Sequence, residues 1–341
     1  MTSPLKAGSP ADLLAFVPVQ LGFWPENSLV LISMQGKLLR AVLRADLPPV
    51  GSNTAETAHA LSAMISSDVE ADAYLGAIYA PAVGDASENA SHYRELISDL
   101  ELALPHELHQ MFIVSGGMVL NMADGSAFSV EEIHSSPMAL EFMMMGRGYA
   151  PDSTTLIPTA PELPHSDLKI LAKVQGAFNE EADDEGVESV KNIWHSCPEV
   201  NELDHGGYLI MLASVQNREC RDAALATIMS AKRIPEGDED TMAKFLIGSP
   251  EVTPDWERAV GFVKVLHNLL TIAAGRFRLA PLTMMGVIEW YKGHGTYCNS
   301  YLSEALAIDP DYRLAVLMNE LNIAGYICPW ATNPETAFPG Q

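Results

Sequence analysis

The sequence predicts an α/β N-terminal sheet domain followed by an all-α, helical-hairpin C-terminal domain. Three observations carry this reading. Apolar runs of strand length alternate with helical stretches up to about residue 150; Pro151, Pro158, Pro161 and Pro164 then interrupt the chain; beyond them the pattern is almost entirely helical. The expected order in the first part is β-β-α-β-α-β-β. The expected division is 1–150 for the α/β domain, 151–165 for a Pro-rich linker, 166–328 for the helical domain and 329–341 for a tail along the surface.

Each element has a local reason. Ser9-Pro10-Ala11-Asp12 is a helix start, with Ser9 as N-cap, Pro10 in the first turn and Asp12 as the acidic third residue. Leu13, Leu14, Phe16 and Val17 follow, and Pro18 is expected to stop the helix. The run from Ser28 to Met34 is a strand; Gln35-Gly36 turns the chain, and Leu38 to Asp46 returns as a hairpin partner. A helix is predicted over 55–67, where Ala58, Leu61, Met64 and Ile65 share a face. A buried-type strand over 74–79 and a helix over 86–104 come next. Strands over 110–114 and 118–122 then form a second hairpin around Gly116-Gly117.

In the second part helices are predicted over 166–180, 187–196, 203–216, 218–231, 254–274, 279–292, 297–308 and 311–324. Counting back from Pro310, Ala305, Leu302, Cys298 and Gly286 fall near the small and apolar positions of a tetratricopeptide-type helix pair. An ordinary helical hairpin ending at Asp309-Pro310 explains the same residues.

Composition excludes several classes of function. The 341 residues are 48% apolar, enough for packed cores, and the length favours two domains because single cores stop growing near ~250–300 residues. With 20 basic against 44 acidic side chains the formal charge is −24, which argues against direct binding of nucleic acid or an anionic membrane. The start of the sequence lacks a secretory h-region, and the near-apolar stretches fall short of a span; four widely spaced cysteines suit a reducing compartment. A cytoplasmic location is the expectation.

Motifs for chemistry are sparse. Neither G-x-S-x-G nor G-x-x-x-x-G-K-[ST] occurs. The acidic run Glu180 to Glu188 lacks the alternation of a calcium loop and reads as a solvated loop. His195, Cys197 and His205 could hold zinc only with a distant fourth ligand, and His106-Glu107-Leu108-His109 has the wrong spacing for a zincin helix. No cofactor and no metal is expected. Gly293-His294-Gly295 reads as a helix C-cap and turn, and Met143 to Met145 as plastic core or interface filling.

Two polar sets stand out as candidate ligand-binding residues. Glu26, Asn27 and Ser28 precede and open the first strand, while Arg44 and Asp46 end its hairpin partner, so all five lie at one end of the sheet. They could bind a small polar ligand or position a partner; the plainer expectation is that Arg44 and Asp46 pair with each other or cap the Pro48-Pro49 turn. The second set is Arg221 and Asp222, with Arg218, where the arginines are expected to bridge neighbouring helices through carboxylates.

Several segments line up with a known family. Ser9-Pro-Ala-Asp-Leu-Leu-Ala15, Leu21-Gly-Phe-Trp-Pro-Glu-Asn-Ser-Leu-Val30 and Arg44-Ala-Asp-Leu-Pro48 do so in the first part. In the second they are Cys220-Arg-Asp-Ala-Ala-Leu225, Ala280-Pro-Leu-Thr283, Trp290-Tyr-Lys-Gly-His-Gly295, Ala305-Leu-Ala-Ile-Asp-Pro-Asp-Tyr-Arg-Leu-Ala315 and Gly325-Tyr-Ile-Cys-Pro329. In order and over nearly the whole chain, these resemble an actinobacterial family, found also in actinophages, described as a domain of unknown function. The chain departs from that pattern at Gly116-Gly117-Met118, where the family has a G-R-W-like turn, and at Asp152-Ser-Thr-Thr155, where it has an Arg. A site built on those residues would be incomplete here. The resemblance implies lineage and fold, and no activity.

The functional expectation is a non-enzymatic intracellular module that binds another protein, a basic one by charge complementarity. The alternative is an enzyme or sensor taking a small polar or phosphorylated ligand at the strand ends. Nucleic-acid mimicry, a third reading, needs the acids gathered on one face.

Overall fold

The computed structural model describes residues 7–49, 52–81, 93–155, 157–180, 184–196 and 203–339, with side chains described except at 177–186. Of the acidic run Glu180 to Glu188, read as a loop, residues 181–183 lie outside the described residues while 184–188 are helical; Cys197 and the start of the helix expected from residue 86 also lie outside them. The chain divides into two units, Met1–Ser153 and Thr154–Gln341.

In the first unit, α1 (Pro10–Leu21) starts as its residues dictate, with Ser9 Oγ accepting the Asp12 N–H. The expected stop at Pro18 is corrected: the helix runs through to Leu21. Gly22, at φ 80°, closes it by donating its N–H to the Pro18 carbonyl (2.8 Å). Burial of Leu14, Ala15 and Val17 outweighs the one hydrogen bond that the proline removes.

Six strands, among the described residues, form one mixed sheet: β1 (Ser28–Gln35), β2 (Leu38–Asp46), β3 (Ala73–Tyr79), β4 (Leu108–Ser115), β5 (Met118–Asn121) and β6 (Ala127–Ser129). Their spatial order is β2-β1-β3-β4-β5-β6, with β3 and β4 parallel and the other pairs antiparallel. Alternation decides which residues face which layer. Leu29, Leu31, Tyr74 and Ile78 face α2 (Thr54–Ile65) and α3 (Arg94–Ala103). Val30, Ile32, Leu75, Ala77 and Tyr79 face α1, α4 (Val130–His134) and α5 (Pro137–Met144). With both faces covered, β3 is buried along its whole length. The expected order lacked β6, α4 and α5. The first two are too short for a period to register, and α5 carries apolar residues on both its inner and its outer side, so it has no clear amphipathic signature.

The second unit is helical: α6 (His165–Glu180), α7 (Asp184–Ser196), α8 (His205–Ser214), α9 (Arg218–Met229), α10 (Glu239–Leu246), α11 (Trp256–Ile272), α12 (Leu279–Tyr291), α13 (Gly295–Ile308) and α14 (Arg313–Ile323). Of these α10 had no counterpart among the predicted segments. Every residue of α12 is buried, and Gly286 lets α13 approach it: a Cβ there would stand 2.9 Å from Leu302 Cδ2.

The proline-rich stretch belongs to this packing, since Ile157 and Leu163 rest on the helical core and the Pro158 carbonyl accepts from Arg278 Nη2 (2.7 Å). Arg278 is buried and also donates to the Leu270 carbonyl (3.0 Å), at the negative end of α11. The tail is corrected as well. Pro329 opens a short helix, α15 (Pro329–Thr332), and Trp330 is fully buried with Nε1 donating to the carbonyls of Ser249 (2.7 Å) and Val252 (3.0 Å). A proline at a helix start needs no N–H partner, so Pro329 opens this helix within what was expected to be a surface tail. Among the described residues no helix is long and apolar enough to cross a membrane.

Candidate functional site

The β1–β2 hairpin brings the first candidate set together. Ser28 pairs with Asp46 and Val30 with Arg44, so Ser28, Arg44 and Asp46 project from the same face at the same end of the sheet. Ser28 is fully buried; its hydroxyl donates to the Glu26 carbonyl (2.6 Å) and accepts from Arg44 Nε (2.8 Å). Arg44 Nη2 reaches Asp46 Oδ1 at 2.6 Å and the Glu26 carbonyl at 3.5 Å. Asn27 is the one described non-glycine residue at positive φ (47°), a conformation its short amide tolerates, and its carbonyl accepts the Leu47 N–H (2.9 Å). The guanidinium thus makes its contacts within the corner, and an anionic ligand would have to displace the exposed Asp46 carboxylate.

Beside this corner stand aromatic residues that the motif search did not single out. Tyr79, the cross-strand partner of Ser28, is buried, and among the described residues its hydroxyl has no hydrogen-bond partner. Burial and the nearby Tyr149 push its pKa upward. Trp24 meets the Tyr79 ring edge-on (5.6 Å between centroids) and lies near the rings of His134 (4.9 Å) and Tyr149 (6.2 Å). His134 Nδ1 and the Tyr149 hydroxyl are 2.9 Å apart. The Trp24 N–H donates to the Ala150 carbonyl (2.9 Å), which ties the strand-end loop to the end of the unit. The signal available in the sequence was Trp24 itself, inside the same motif as Glu26 and Ser28.

Arg221 and Asp222 lie in the other unit and join a different arrangement. Arg221 is buried; its Nε and Nη2 donate to Asp222 Oδ1 (3.0 and 2.7 Å) and its Nη1 to the Tyr312 hydroxyl (2.7 Å). The expected carboxylate bridge between helices is corrected: both carboxylate contacts of Arg221 and Arg218 are to Asp222 on their own helix, and the link to the next element is a phenol.

A charged cluster sits at the end of α12. Glu289 is buried and receives Lys292 Nζ (2.7 Å) and His294 Nδ1–H (2.8 Å). Burial by itself would raise its pKa, but the His294 hydrogen bond and the Lys292 charge outweigh it and hold the carboxyl at about 2. Gly293, at φ 82°, makes the turn between Lys292 and His294. In the zinc candidate, His205 Nε2 contacts Asp167 (2.9 Å), and among the described residues no three His, Cys, Asp or Glu side chains converge as a metal site.

A surface feature completes the inventory. Met138 and Phe142 of α5 are buried in the first unit, whereas Leu140, Met143 and Met144 are 52%, 68% and 89% exposed. Spacing of three and four residues puts these three on one outer face. The methionine run is therefore surface rather than core.

A comparison with protein families matches residues 10–326 to one described as a domain of unknown function (DUF4192). No curated protein and no solved structure matches the chain.

Proposed function

The chain belongs to the DUF4192 family, and for this member we propose a non-enzymatic role, as an interaction or accessory module that binds another protein. The carrying observation is the outer face of α5, where Leu140, Met143 and Met144 stand exposed on a helix whose other side is already buried. A surface helix normally keeps its solvent side polar; three large apolar side chains in one stripe match a contact surface. Among the described residues at the strand ends, Arg44 is held by Ser28 and Asp46, an arrangement that supports a structural role for this corner. Photo-methionine incorporation tests the reading: cross-links should form at Met143 or Met144, and the captured protein, purified, should bind the chain and not its Leu140→Ser/Met143→Ser/Met144→Ser variant. Equal binding by the variant overturns the proposal.

A second reading, a small polar or phosphorylated ligand at the strand ends, is favoured by one observation, the buried and unpartnered Tyr79 hydroxyl beside Trp24 and the Arg44 corner. A polar ligand reaching that hydroxyl would supply the missing hydrogen bond. Thermal-shift screening of phosphorylated and carboxylate compounds tests it. A shift abolished by both Tyr79→Phe and Arg44→Ala supports the ligand; a shift that survives both variants, or no shift at all, removes this reading.

A further inference from the structure

We propose that the outer face of α5 receives a basic, amphipathic helix of a partner protein. This rests on the contact-surface reading above and names its occupant. The first argument is shape. Leu140, Met143 and Met144 form a stripe one helix wide, and such a ridge suits ridge-to-groove packing of a second helix. The second is side-chain chemistry. Methionine is unbranched and re-packs readily, so the stripe can accommodate a partner helix without a fixed set of pockets.

The third argument is charge. From Asp124 to Ala150, Asp124, Glu131, Glu132 and Glu141 are all exposed, against one base, Arg147, which lies over the Phe142 ring (5.4 Å). Glu141 borders the stripe on α5 itself, and Glu131 and Glu132 open the adjacent α4. A stripe with Glu141 beside it, in a segment where exposed acids outnumber bases, favours a helix that carries Leu or Phe on one side and Lys or Arg beside it. The same carboxylates disfavour two rivals. A second copy would place Glu against Glu, and an anionic lipid surface would repel them.

The test uses the full chain and three labelled peptides of roughly 18 residues. One is a Lys/Leu helix with its leucines in a single stripe, one is its Glu/Leu counterpart, and one has the Lys/Leu composition without a stripe. Fluorescence anisotropy should show saturable binding of the striped Lys/Leu peptide alone. The Leu140→Ser/Met143→Ser/Met144→Ser variant should weaken it by about 10-fold or more at an unchanged Tm. Equal binding of the Glu/Leu peptide overturns the basic partner and leaves the contact surface standing. Equal binding of the stripeless peptide overturns the helix reading, because charge alone then suffices. Undiminished binding by the triple variant overturns both this inference and the proposal it rests on. A wild-type dimer in sedimentation that the triple variant loses assigns the face to a second copy and overturns the partner helix.

Discussion

Asp12 Oδ1 accepts the backbone N–H of Met138 at 3.0 Å, so a carboxylate in the first helix caps the start of a helix 126 residues later. Asp12 is nearly inaccessible and its other oxygen takes the Gly8 N–H (2.9 Å). Burial would raise its pKa, but the N–H groups of Met138 and Gly8, with the Ser9 and Ser136 hydroxyls, outweigh that and lower it. The residue that looks like a local capping acid in Ser9-Pro10-Ala11-Asp12 is also a long-range tie that seats α5.

Replacing it should be costly in a pH-dependent way. Asp12→Ala is expected to destabilise the first unit by about 1–3 kcal/mol, chiefly the cost of orphaning the buried Met138 N–H. A carboxyl whose folded pKa lies below its unfolded value stabilises above the ordinary carboxylate range and ceases to as pH falls through the folded pKa. Urea denaturation of the wild type and variant should therefore differ at neutral pH and converge in acid; a constant difference would refute the assignment.

Glu289 predicts a second acid-sensitive element, in the other unit. Its carboxyl titrates near 4.5 unfolded and at about 2 folded, so its stabilisation is complete above pH 4.5 and disappears towards pH 2. Glu289→Gln leaves Lys292 buried without its anion and should cost about 3–5 kcal/mol at pH 7. The check is the Tm as a function of pH: the gap between variant and wild type must narrow below pH 4.5.

Gly286 tests the helical hairpin. Gly286→Ala drives a methyl into Leu302 and is expected to destabilise by about 1–3 kcal/mol. In a Leu302→Ala background the same change should cost less, and a double-mutant cycle reads the difference directly. Additive effects would mean that the helices do not meet at this pair.

Trp330 distinguishes a docked C-terminal segment from a trailing one. Its ring meets Tyr291, Phe245 and Trp256, and its N–H is doubly satisfied. Trp330→Ala should cost about 3–5 kcal/mol by guanidinium titration, whereas a tail on the surface would lose almost nothing.

Tyr79→Phe predicts the opposite sign. Removing a buried hydroxyl that has no partner among the described residues should leave stability unchanged or raise the Tm, because no hydrogen bond is lost and a desolvated dipole is. A clear fall in Tm would show that the hydroxyl is hydrogen-bonded in solution.

Much of this architecture was readable from local pattern. The apolar alternation in β1 and β3, the Gln35-Gly36 turn and the Ser9 cap act within a few residues, so they show in the sequence. The hairpin also let Glu26, Asn27 and Ser28 be placed beside Arg44 and Asp46, because antiparallel pairing follows once the turn is located. What went unread were features whose sign depends on surroundings. Pro18 stays inside a helix because its neighbours are buried, and Pro329 begins a helix because Trp330 has a pocket to fill.

By itself, then, the sequence determined the two fold classes, the acidic surface, the strand-end grouping and the family resemblance that the profile match over residues 10–326 supports for a domain of unknown function. The first three follow from composition or from spacing within an element or a hairpin, and the resemblance from matching motifs. Only tertiary structure decided that Asp12 caps α5, that Tyr79 lies beside Trp24 with no partner for its hydroxyl, and that Met143 and Met144 face outward while Phe142 faces in. The reason is that hydrophobic periodicity records which side of an element is apolar but carries no distance between elements. When a helix such as α5 carries apolar residues on both its inner and its outer side, the sheet beneath it determines which side is left for another molecule.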